Sequence, residues 1–157
     1  MNPLNSPIEV GLRVLMLLQV AFPERLDLNQ LVLLDHGLLH SADLGGPESL
    51  HPPVPIRAGE LGVRREAIEA GLEVMIRAKL AHVGLGKRGV EFWAGEAADG
   101  FIQLLESTYA KRLHSRASWV VEHFGELDEA KLRAGLSSIA QHWAEEFTVV
   151  DTPEERF

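Results

Sequence analysis

Three histidines and two aspartates crowd one stretch of the chain, DHGLLHSADLGGPESLHPPVPIRAGE, residues 35–60. His36, His40 and Asp43 fall at i, i+4 and i+7, which puts all three on one side of a helix, and His51 follows a Gly45-Gly46-Pro47 turn. Imidazole nitrogen and carboxylate oxygen are zinc ligands, so these residue types fit a metal centre or a histidine-based catalyst. No glutamate follows His36, however, so the HExxH pairing of ligands with a general base is missing. His36 also falls in a segment that is apolar nearly all round. Histidine and aspartate beside a glycine-proline turn serve equally to tie down loose backbone N–H and C=O groups. That tethering role outweighs the metal and catalytic ones. The turn residues His40, Asp43, Gly45, Gly46, Pro47 and His51 are therefore read as structural or partner-contacting, and no catalytic residue, metal ligand or cofactor is assigned.

A second cluster could bind phosphate. Residues 64–88 hold six basic side chains, Arg64, Arg65, Arg77, Lys79, Lys87 and Arg88, against Glu66, Glu69 and Glu73. The window is thus net positive in a chain whose formal charge is −8. Arg64 and Arg65 open an expected helix, where phosphates are favoured by arginine and by the helix N-terminus together. Lys87 and Arg88 fall at an expected hairpin tip that could reach a second phosphate. The competing reading is a solvated helix face on an acidic protein, which resists DNA electrostatically. Nucleophilic and nucleotide chemistry have little support: there is no GxSxG elbow, no GxxxxGK[ST] loop and no GxGxxG after a strand.

The elements that would carry these residues are mostly helices. Ser6-Pro7-Ile8-Glu9 is a capping box with proline at the first helical position, and the helix it opens should run to Ala21, before Pro23. Asp27 with Gln30 opens a second, buried helix over 28–42, closed by Gly45-Gly46-Pro47. Pro52, Pro53 and Pro55 keep 47–58 a loop. A third helix resumes by about Val63 and reaches Lys79, burying Val63, Ala67, Ile68, Leu72, Met75 and Ile76. LAHVG, LGKRG and VEFWA then read as strand, turn and strand. Further helices are expected over 96–105, presenting Ala97, Phe101, Leu104 and Leu105, over 108–124, and from Asp128 onward.

Length and composition set the outer bounds. The chain of 157 residues reads as a single domain, 46% hydrophobic and 24% charged, in keeping with an ordinary globular protein. Without cysteine it has no disulfide, thiolate ligand or cysteine nucleophile. No signal-peptide pattern opens it, and the longest apolar run, Val10 to Phe22, is interrupted by Arg13 and Gln19 and too short to span a bilayer; a cytoplasmic location is expected. A buried helix, the turn GELGVRRE, a long helix and a two-stranded hairpin follow in the order of a winged helix. The expected fold is mainly α, a winged-helix-like domain with a core at about 25–95, flanking helices at 6–22 and 96–147, and the proline-rich loop where a short second helix would sit.

NSPIEVGLRVLMLLQVAFP, LVLLDHGLLHSADLGGPESLHPP and GELGVRREAIEAGLEVMIRAKL together resemble the middle-component family of bacterial ABC-three-component systems, over at least residues 5–126. The resemblance implies a small non-enzymatic subunit encoded between an SMC- or Rad50-like ABC ATPase and a variable effector, the plan on which Lamassu defence against phage and plasmids is built. It implies an adaptor linking a DNA-sensing ATPase to an effector such as a nuclease, with double-stranded DNA reached through the complex and no membrane partner. No catalytic residues come with it. His40, Asp43, Gly45, Gly46, Pro47 and His51 match its signature. Two other readings stand beside the adaptor: an independent DNA-binding regulator acting through Arg64, Arg65, Lys87 and Arg88, and a metal-dependent enzyme centred on His36, His40 and His51.

Overall fold

The computed structural model describes residues 6–50, 60–124 and 134, and its first element starts at the expected cap. Ser6 Oγ accepts the Glu9 amide at 3.3 Å, and α1 runs from Pro7 to Ala21. Helix α2 (Leu28–Leu39) opens on a complete capping box, in which Asp27 accepts the Gln30 amide and Gln30 Oε1 accepts the Asp27 amide, both at 2.8 Å. The expected continuation of α2 to residue 42 does not hold. His40 takes φ −123° and ψ 49° as the C-cap, and Ser41–Leu44 form a 3-10 turn. The Ser41 hydroxyl donates to the Pro47 carbonyl at 2.8 Å, while the Gly46 amide donates to the Ser41 carbonyl at 2.9 Å, so the chain rolls back on itself.

Helix α3 (Glu60–Arg77) ends two residues short of the expected Lys79. Lys79 instead adopts the left-handed conformation, φ 62°; its amide donates to the Ile76 carbonyl and the Leu80 amide to the Met75 carbonyl, both at 2.9 Å. This paired closure is a Schellman termination. Strands β1 (Ala81–Gly86) and β2 (Gly89–Ala94) are antiparallel, with Lys87 and Arg88 alone at the tip as expected. Leu26 exchanges two backbone hydrogen bonds with Phe92, at 2.9 and 2.8 Å, so β2 lies between Leu26 and β1. Two helices follow, α4 (Ala98–Gln103) and α5 (Thr108–His123), the latter capped by Ser107 on the Ala110 amide. The expected helix from Asp128 lies outside the described residues apart from position 134.

The core is built around α1, which packs against α3 on one side and α5 on the other, while α2 packs on α5 and α3. Gly11 and Gly71 let α1 and α3 touch backbone to backbone: a Cβ on Gly71 would lie 2.7 Å from the Gly11 nitrogen. Leu15, Leu18, Leu31, Leu34, Ile68 and Leu72 fill the space between the helices. Val63, expected inside, is 65% exposed. The inward stripe of α3 runs Arg64, Ile68, Leu72, Met75, and Arg64 holds the slot that Val63 was expected to take. The short α4 buries Ala98 and Ile102 rather than Ala97 and Leu104, because Gln19 of α1 bonds Asp99 at 3.1 Å and the helix ends before Leu104, which is exposed.

The mainly helical architecture with one hairpin is therefore as expected. Its element order resembles a winged helix, with a 3-10 turn following α2 and residues 51–59 outside the described set. Among the described residues no helix is long and apolar enough to cross a membrane.

Candidate functional site

Two successive apolar helices each turn one charge inward. Arg13 of α1 and Asp35 of α2 are 2% and 1% exposed. Arg13 Nε donates to Asp35 Oδ1 at 2.9 Å and Nη2 donates to Oδ2 at 3.3 Å, a two-pronged contact that fixes both side chains. Arg64, near the start of α3, donates from Nη1 to Oδ2 at 3.1 Å. Burial works to raise the Asp35 carboxyl, but the charge and hydrogen bonds of Arg13, with the charge of Arg64, hold it below its ordinary 3.8. Burial likewise works to lower the Arg13 guanidinium, and Asp35 holds it above its usual value. One carboxylate thus gathers α1, α2 and α3. Residue types in isolation hid this: Arg13 read as a mere break in an apolar run. The usable signal was one charge inside each of two nearly all-apolar helices, opposite in sign.

The signature turn is anchored to α5. Gly45 has φ 77°, a conformation that suits glycine, and nothing crowds its Cα. Gly46 is needed for a different reason: a Cβ there would lie 2.2 Å from Cζ2 of Trp119, so the turn's backbone rests on the indole. Trp119 is held in turn by the His123 ring, stacked at 4.8 Å. Arg116 Nε and Nη2 donate to the Glu48 carbonyl at 3.1 and 2.9 Å, and the Ala42 amide donates to Ser49 Oγ at 3.1 Å. Nothing local in the sequence marks Trp119 and Arg116 as partners of the turn, since about seventy residues of chain separate them from it.

The histidines do not share a helical face with Asp43 as the spacing suggested, since His40 is the C-cap and Asp43 lies in the 3-10 turn. His36 and His40 are both buried, their rings 5.0 Å apart and tilted by 38°. His51 and the Asp43 side chain lie outside what is described. Among the described residues no group of three or more histidine or carboxylate side chains is placed to hold a metal ion.

The basic window is dispersed rather than gathered. Arg64 faces inward to Asp35, Arg65 bonds Asn29 Oδ1, Arg77 pairs with Glu73 at 2.5 Å, and Arg88 Nη1 donates to Gln30 Oε1 at 3.2 Å. Lys79, at the end of α3, and Lys87, at the hairpin tip, are exposed and have no acidic partner among the described residues.

The hairpin's two faces differ. On one, Glu91 is buried and Trp93 lies under the Arg25 guanidinium, 3.8 Å from the ring centroid. On the other, Val83 pairs with Phe92 and Leu85 with Val90. Val83, Leu85 and Val90 are 46%, 82% and 51% exposed. Beside Phe92 an open groove of about 310 Å³ runs along α3, floored by Leu72 and Ile76 and edged by Glu69, Glu73 and Arg77. Four of the six basic side chains in the window thus hold contacts within the chain, while the hairpin leaves apolar side chains in water, an arrangement suited to contact with protein.

Compared with known proteins, residues 3–146 match the family model described as ABC-three component (ABC-3C) system Middle Component 2. No curated protein and no solved structure matches the chain.

Proposed function

We propose, because the chain belongs to the ABC-three-component system Middle Component 2 family, that it is a non-enzymatic adaptor joining an SMC-like ABC ATPase to an effector in bacterial defence against phage or plasmids. A middle component is one subunit of a multi-subunit ABC system, so the chain has protein partners. The observation that carries the adaptor reading is the apolar hairpin face, where Val83, Leu85 and Val90 are exposed together on one side of the two strands. Unpaired apolar surface of this kind is retained where a partner covers it.

The independent DNA-binding alternative draws on a thinner base. Arg64, Arg65, Arg77 and Arg88 all hold contacts within the chain, leaving Lys79 and Lys87 as the window's cations most available to phosphate. Two such contacts suit an auxiliary DNA touch inside a larger assembly better than a stand-alone reader.

The test is co-expression with the neighbouring reading frames and purification through a tag on this chain. The ATPase should co-purify, and the isolated chain should neither hydrolyse ATP nor cleave DNA. Recovery of the chain with neither neighbour would overturn the adaptor role; hydrolysis by the isolated chain would overturn its non-enzymatic character.

A further inference from the structure

Among the described residues, nothing pairs with the outer edge of β1. Leu26 uses the N–H and C=O of Phe92 that point away from β1. In an antiparallel ladder, the residue opposite such a position directs its own N–H and C=O outward as well. Val83 is that residue, and by the two-residue period Ala81 and Leu85 do the same. No described residue pairs with these groups. The strand's sequence, AHVGLG, contains no lysine, glutamate or proline, the usual protections of a free edge. Its exposed apolar side chains, Val83 and Leu85, lie on the same face as Phe92, which lines the groove along α3. Backbone valences, apolar side chains and groove thus form one continuous surface.

We propose that the edge of β1, with the groove between β2 and α3, is the docking site for an extended segment of a partner subunit whose groove-facing side chains combine apolar residues with lysine or arginine. The edge dictates an extended backbone, adding a strand beside β1. Val83, Leu85 and Phe92 dictate apolar side chains on alternate positions. The exposed carboxylates of Glu69 and Glu73 share that groove face, with Arg77 the one cation among the groove's described lining residues, and dictate that some of those same positions carry lysine or arginine. A second copy of this chain fits less well, since its β1 brings no cationic side chain and each copy carries a formal charge of −8. The chain's own last ten residues, TVVDTPEERF, carry three acidic side chains to one basic and are mismatched for the same reason. The site names the contact surface within the adaptor role and rests on that role.

The test uses the complex formed on co-expression with the neighbouring ABC ATPase and effector, and amide hydrogen exchange of β1 in the free chain and in that complex. The amides of Val83 and Leu85 should exchange at least about tenfold more slowly in the complex. Val83→Pro, which removes an outward N–H while sparing the inner ladder, and Leu85→Lys should each weaken assembly by about tenfold or more, with the free chain's melting temperature kept. Glu69→Lys with Glu73→Lys should weaken it and remove part of its salt dependence. A complex that forms with β1 amides unprotected and with all three variants binding as wild type overturns this site and leaves the adaptor role standing. Failure of any complex to form overturns both. A free chain that is dimeric, and becomes monomeric on Leu85→Lys, overturns the partner segment in favour of a second copy.

Discussion

Replacing Asp35 with asparagine keeps the side chain's shape and removes its charge, leaving Arg13 buried and uncompensated between α1 and α2. Arg13 and Asp35 are almost fully buried and joined by two hydrogen bonds, with a third from Arg64. Breaking such a pair from one side costs about 3–5 kcal/mol. A domain of this size unfolds with about 5–15 kcal/mol in total, so the change removes a large part of it. At roughly 2–4 °C per kcal/mol, the midpoint should fall by about 6–20 °C. Chemical denaturation of Asp35→Asn and wild type, followed by circular dichroism, measures the difference directly. The double change Arg13→Met with Asp35→Leu should recover most of the loss, because no buried charge is then left alone. The wild type's advantage should also depend on pH in a defined direction. Since the folded carboxyl lies below its ordinary 3.8, its contribution is fully present above about pH 4 and is lost as pH falls through the folded value. A loss under about 1 kcal/mol, or an advantage unchanged between pH 7 and pH 2, would refute the claim that this carboxylate holds three helices together.

Other sites give sharp expectations. Gly71→Ala sets a methyl 2.7 Å from the Gly11 nitrogen, backbone that cannot rotate away, and should cost about 1–3 kcal/mol in denaturant titration. Gly46→Ala drives a methyl into Trp119; the cost should be similar in the wild type and clearly smaller in a Trp119→Ala background, a coupling read by a double-mutant cycle. Asp27→Ala removes the cap of α2 and should cost about 0.5–2 kcal/mol, with Leu28 to Leu31 amides exchanging faster.

Local signals in the chain foretold local structure well. Ser6-Pro7, Asp27 with Gln30, and the LGKRG turn depend only on neighbours within a few residues; both helix starts are where they were expected, and the turn tightens to Lys87-Arg88, with Leu85, Gly86 and Gly89 joining the strands. Misplaced features depend on distant residues. Helix α2 stops early because Ser41 finds Pro47 and Glu48, and the turn they make rests on Trp119 and Arg116 of α5. Val63 looked like the inward residue of α3 on hydropathy alone; Asp35, in another helix, decided for Arg64. The basic window reads as one charge cluster along the chain, yet in space its arginines turn to Asp35, Asn29, Glu73 and Gln30. Val90, Phe92 and Ala94 alternate with Glu91 and Trp93 along the second strand, but Arg25 meeting Trp93 across the fold is a contact that no local pattern encodes.

The adaptor role makes one demand that no merely associated subunit meets: the effector must need this chain to reach the ATPase. The most direct measurement is native mass spectrometry of the assembly purified through a tag on the ATPase, with the three neighbouring genes co-expressed and again with this one omitted. The account predicts a defined ATPase–middle component–effector complex in the first case and ATPase free of effector in the second. Effector bound equally to the ATPase when this chain is absent would contradict it.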